Sequence, residues 1–135
     1  MPFDLTWEPR GVVRRYYGDV TIEQRQRSFD LICADSRFDG LRWSITDYLD
    51  VEEYEITPEA TEVIAALHIA PLLTNPSIVV AAVAVDKRIV AAIDHFISMK
   101  FMAQPYRVFA TLAEARTWVS QTEYTPDQPP LRWRC

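Results

Sequence analysis

Three side chains in this sequence are of the types that form a nucleophilic triad: Cys33, His95 and Asp47. A thiol attacks only as its thiolate, so it needs a base within hydrogen-bond reach and polar surroundings. Cys33 instead falls on the apolar stripe of a helix, where a thiol packs as a small hydrophobe and keeps its proton. His95 stands between Asp94 and Phe96 as a solvated helix residue beside an apolar stripe. The three come from separate elements and no spacing makes them converge. No catalytic residue is assigned, and the chain is expected to be non-enzymatic.

A hard cation would need oxygen ligands, and Asp47, Asp50, Glu52, Glu53 and Glu55 lie close together in sequence. The acidic spacing is not that of an EF-hand and no glycine sits at the required turn, so a solvated acidic loop is expected. With two cysteines, no CxxC and no Cys/His ligand spacing, neither a metal nor a cofactor is expected. Asp47 is expected to end a strand at the carboxyl edge of the sheet, where open α/β sheets bind ligands, and is kept as a binding candidate.

Four further places could bind without catalysing. Thr57 opens a helix. His68 lies on that helix opposite the stripe of Val63, Ile64 and Leu67, as a surface or interface residue. Arg14, Arg15, Tyr16 and Tyr17 set cations and rings together, suited to gripping an anion or to guarding an edge strand. Phe96, Ile97, Met99, Phe101 and Met102 wrap more than one face near the end of the third helix. That last group fits a lid over an apolar pocket, a self-association surface, or core packing.

The elements that position these residues are legible from periodicity. Ser77–Val85 has eight apolar residues of nine and is closed by Asp86. A strand covered on both faces needs consecutive apolar residues, so this is an interior strand. Before it, Phe3–Trp7 alternates, Pro9-Arg10-Gly11 turns, and Val12–Tyr17 completes a hairpin that Gly18-Asp19 ends. Thr21 and Gln24 form a capping box opening a helix to about Asp35. Leu41–Asp47 alternates as a strand. Thr57-Pro58 opens a second helix that Pro71 kinks or ends. Asp86 caps the third helix, Tyr106–Ala110 is a last strand, and Thr111 with Glu114 opens a last helix. The order β-β-α-β-α-β-α-β-α implies an α/β fold: a mixed four- to five-stranded sheet with right-handed crossovers. Residues 1–124 are expected to form one domain, and 125–135 a Pro-rich tail.

At 135 residues, with 49% hydrophobic and 24% charged, the chain has the balance of an ordinary globular domain. Nineteen acidic against 14 basic residues, a net charge of −5, count against nucleic acid or an anionic membrane as partner. No basic segment followed by an apolar core opens the sequence, so a cytoplasmic protein without a membrane span is expected.

Several segments carry a family resemblance: Trp43-Ser44-Ile45-Thr46-Asp47-Tyr48, Ile64–Leu67, Thr74-Asn75-Pro76, Val83–Asp86 and Tyr106–Trp118. Over roughly residues 3 to 121 the chain resembles the STAS fold of the bacterial SpoIIAA-like anti-sigma-factor antagonists, and in particular uncharacterised members of that group. The resemblance implies a regulatory or binding module acting on a protein partner or on itself as a dimer. In that family a serine at the start of the helix after the third strand is phosphorylated to switch partner binding. Here the junction reads Glu55-Ile56-Thr57-Pro58-Glu59, with Thr57 the only hydroxyl, so the usual serine phosphoswitch is not expected. The alternative function is a carrier of a small apolar, lipid-like ligand in a pocket beneath the third helix.

Overall fold

The computed structural model describes residues 2–126, and the expected tail beyond them, including Cys135, lies outside the described residues. Among the described residues five strands form one sheet in the order β1-β2-β3-β4-β5: β1 Phe3–Glu8, β2 Gly11–Val20, β3 Trp43–Tyr54, β4 Val79–Val83 and β5 Tyr106–Phe109. β1 and β2 form the antiparallel hairpin, and all later neighbours are parallel. The crossovers are α1 Ile22–Ala34, the pair α2 Pro58–Leu67 and α3 Ile69–Thr74, and α4 Lys87–Ser98, with α5 Leu112–Gln121 closing the order.

The valine-rich strand sits inside the sheet as its composition demands. Val79, Ala81, Ala82 and Val83 are no more than 1% exposed. It is shorter than the apolar run, however, and Val85, which leads into the next helix, is 64% exposed. The helix starts also match their signals. Thr21 and Gln24 close a reciprocal capping box, Thr57 Oγ1 accepts from Ala60 N, and Asp86 accepts from Arg88 N.

Four expectations need correction. First, β2 does not stop at Tyr17; Gly18, at φ 64°, bends it, and it continues to Val20 with register shifts on both sides of Tyr17 and Gly18. Second, β2 is no edge strand, because β3 pairs along its whole length. Third, the acidic segment is not a loop: β3 begins at Trp43 and runs through it to Tyr54. Tyr48, Val51 and Tyr54 pack onto the core there, three residues apart across the register shifts with β2, while Glu52 and Glu53 stay in water, so apolar burial outweighed charge. Asp47 therefore lies within a strand rather than at its end. Fourth, the second helix breaks before Pro71, at His68. A proline ring in that frame would press on the carbonyl of Leu67, four residues back, and the chain restarts as α3 with Pro71 near its beginning. The third expected helix is thus α4.

The two faces of the sheet are covered differently. On one, Val13, Ile45, Val79, Ala81 and Val83 pack against Ala115 and Val119 of α5. On the other, α1, α2, α3 and α4 stand over Val12, Arg14, Thr46, Val80 and Ala82. Asn75, 2% exposed, ties the loop before β3 to the crossover by donating to Phe38 O and Leu41 O at 2.8 and 2.9 Å. At the start of β2 a Cβ on Gly11 would run into the indole of Trp43. Gly11→Ala is therefore expected to destabilise the fold by about 2 kcal/mol, typical of overpacking, as read from the urea midpoint.

Candidate functional site

The helices on the second face do not meet the sheet in full contact. They leave a cavity of about 80 Å³ (the volume open to the centres of water-sized spheres) that several waters or a small organic molecule would fill. The sheet supplies its floor: Arg14 and Tyr16 from β2, Ser44, Thr46 and Tyr48 from β3, Val80 from β4 and Tyr106 from β5. These residues share a face because Arg14 pairs with Thr46 and Ser44 with Val80 in parallel register. The helices supply an apolar roof, with Phe29 and Ile32 of α1, Ile64 of α2, and Ile93 and Phe96 of α4.

Beneath that roof lies a polar network built on Ser28, which is fully buried. Its hydroxyl donates to Arg25 O at 2.9 Å, so the Tyr16 hydroxyl, 2.7 Å away, must donate to it. Arg14 Nη1 also donates to Ser28 Oγ, and Nη2 to Thr46 Oγ1, both at 3.0 Å. Arg25 is 8% exposed, donates to Glu55 O at 3.1 Å, and lies over the ring of Tyr54. Burial raises the Tyr48 phenol above its ordinary pKa and those of Tyr54 and Tyr106 well above it, so all three stay neutral hydroxyls. Two cations thus line the cavity, and no carboxylate among the described residues does.

His68 belongs to this site, not to the surface where the helix pattern put it. The break between α2 and α3 turns its ring inward, stacked on Phe29 at 3.9 Å and edge-on to Phe96 at 5.1 Å. Its Nδ1–H donates to Ile64 O at 2.7 Å, because a carbonyl can only accept, which places a proton on Nδ1. Burial pushes its pKa down to about 4. Phe96 and Met102 line the cavity as well; Met99 packs beside Phe96, and Phe101 is 45% exposed.

The other candidates lie apart. Asp47 points to the α5 face, where its Oδ1 accepts from Leu49 N at 2.9 Å. Burial pushes the Cys33 thiol up to about 12, and His95 is exposed on α4, so the three triad residues are not brought together. Among the described residues no group of three His, Cys, Asp or Glu side chains could hold a metal. Thr57 is exposed and its hydroxyl caps α2. Arg15, one residue from Arg14, faces the opposite way and meets Asp50 at 2.7 Å and Asp4 at 3.4 Å. The alternation of β2 divides the Arg-Arg-Tyr-Tyr cluster, which the sequence presents as one group. Sequence reasoning singled out none of Arg25, Ser28 and Tyr54; the signal that could have found the first two is their spacing of three, which puts both on the inner side of α1.

No protein-family model matches the chain, and no curated protein matches it. Solved structures do. The unphosphorylated form of the anti-sigma factor antagonist SpoIIAA superposes with a TM-score of 0.63 at 13% identity, over 89% of this chain and 99% of that one. An uncharacterised protein of the DUF3478 family from Shewanella loihica PV-4, described as having a SpoIIAA-like fold, gives 0.53 at 12% identity, over 87% and 91%. The chain has the SpoIIAA-like, or STAS, fold. No helix among the described residues is long and apolar enough to cross a membrane.

Two outcomes follow from the geometry. His68 is neutral in the fold and titrates near its ordinary pKa of 6.5 when unfolded, so the unfolded chain binds more protons between these values. Stability should therefore fall as the pH drops from 6.5 towards about 4. Urea midpoints measured across that window should lose this slope in His68→Leu. Thr57→Ala should cost about 1 kcal/mol in the same measurement, the usual worth of a helix cap.

Proposed function

We propose that this chain is a STAS-like binding module that takes up a small, largely apolar molecule beneath α4, with no catalytic step. The cavity carries this reading. It is roofed by aromatic and aliphatic side chains, it holds a few convergent polar groups, and no nucleophile, base and orienting acid meet in it. The module works without a phosphoswitch at Thr57, whose hydroxyl is engaged in capping between Glu55 and Glu59.

A second reading is regulatory binding of a protein partner or of another copy of the chain. It is favoured by the fold shared with an anti-sigma factor antagonist and by apolar side chains in water on α2 and α3, among them Val63 at 46% and Leu73 at 49% exposed.

The first reading is tested by titrating 1-octanol into the protein and following heat and thermal stability. Saturable binding is expected, with a gain of about 2.7 kcal/mol in stability at a hundred times Kd. Val80→Phe, which fills the cavity from the sheet side, should abolish the binding while the protein stays folded. No saturable binding, or unchanged binding in Val80→Phe, would overturn it.

A further inference from the structure

Arg14 is out of balance with its surroundings. A guanidinium carries five N–H donors and stays charged in folded proteins. Two of its donors reach Ser28 Oγ and Thr46 Oγ1, and Nε, itself buried, has no acceptor among the described residues. Ser28 offers nothing more, because it already accepts from Arg14 and Tyr16 while donating to Arg25 O. The ring of Tyr16 lies 5.1 Å from the guanidinium carbon. The cation therefore sits among neutral groups, an arrangement that is costly until a counter-charge joins it.

The acids of the chain that lie near in sequence or register are committed elsewhere. Asp4 and Asp50 hold Arg15 on the other side of β2, and Asp47 faces α5. Glu55 Oε2 accepts from Ile22 N at 2.7 Å. Arg25, the second cation of the cavity, meets a backbone carbonyl and a ring, with no carboxylate against it among the described residues. A chain of net charge −5 thus keeps two positive charges at a cavity whose lining is otherwise neutral.

We propose that the cavity binds a carboxylic acid with a medium-length apolar body, its carboxylate seated on Arg14 and its hydrocarbon against Phe29, Ile64, Ile93 and Phe96. This rests on the reading of the cavity as a ligand site and names the class of ligand. The planar fork of a guanidinium matches the two oxygens of a carboxylate. A phosphate would draw on backbone N–H groups at a helix start, and at α1, α2 and α4 the caps Thr21, Thr57 and Asp86 already take one of them each. The modest volume favours a single short chain over a diacyl lipid.

Calorimetric titration of the full chain with octanoate, 1-octanol and octyl phosphate, three probes of equal chain length, tests this at neutral pH. Octanoate should bind roughly 10- to 100-fold more tightly than 1-octanol, the worth of a charge-assisted pair. It should also shift the Arg14 Nε–H resonance. Arg14→Met should remove the preference for octanoate over 1-octanol, since the charge-assisted contact is lost. Equal affinity of the unaltered protein for octanoate and 1-octanol would overturn the head-group assignment and leave the apolar cavity standing. Tighter binding of octyl phosphate than of octanoate would overturn the carboxylate. Failure of both octanoate and 1-octanol would overturn the ligand-site reading itself. The comparison of probes on the unaltered chain decides between these even if Arg14→Met does not fold.

Discussion

A sheet with helices on both sides must keep water from two faces at once, and here the two faces achieve it by different means. Against α5 the strands present small branched and methyl side chains, and Ala81 and Ala115 let helix and sheet approach closely. Against the other four helices the strands present Tyr16, Tyr48, Tyr106 and Arg14, which hold the helices away. Bulky side chains with polar ends cannot interdigitate as closely as alanine and valine. The cavity is a consequence of that difference in side-chain size, and its chemistry is that of the groups that cause it.

The polar part of the cavity is organised through hydroxyls rather than ion pairs. Ser28 links Tyr16, Arg14 and the backbone of α1, so the position of the guanidinium depends on how α1 docks on β2. Rings reinforce the arrangement: Tyr16, Tyr48 and Tyr54 stand within 6.1 Å of one another, and His68 bridges Phe29 and Phe96 across three helices. Such contacts fix orientation as well as burying area. The side of the molecule that holds the cavity is therefore also the side whose packing is least uniform.

The likeness to SpoIIAA at 13% identity extends to architecture, and the chemistry of the present site has to be argued from its own residues. At the helix start after β3 this chain has Thr57-Pro58, a capped and prolyl-started helix. The fold is shared, and the cavity lies in the interior beneath α4.

Much of the architecture was legible in local signals. Caps at Thr21, Thr57, Asp86 and Thr111, the hairpin turn before Gly11, and the uninterrupted apolar run of β4 each act over a few residues, so composition and spacing determine them. Signals that compete over the same residues were less decisive: the charges of β3 concealed the buried Tyr48, Val51 and Tyr54 among them, and Pro71 broke the helix one turn earlier than its position suggests. The site was barely legible. His68 reads as surface until a helix break turns it inward, and Arg14 and Arg15 read as a pair until a strand sends them to opposite faces. The sequence by itself determined the order of strands and helices and that β4 lies inside the sheet, because those depend on neighbours in the chain. Only the tertiary structure decided that Arg14, Arg25 and four tyrosines share one cavity that no acid among the described residues lines, with Ser28 tying Arg14 to Tyr16, because register and docking brought them together from distant segments.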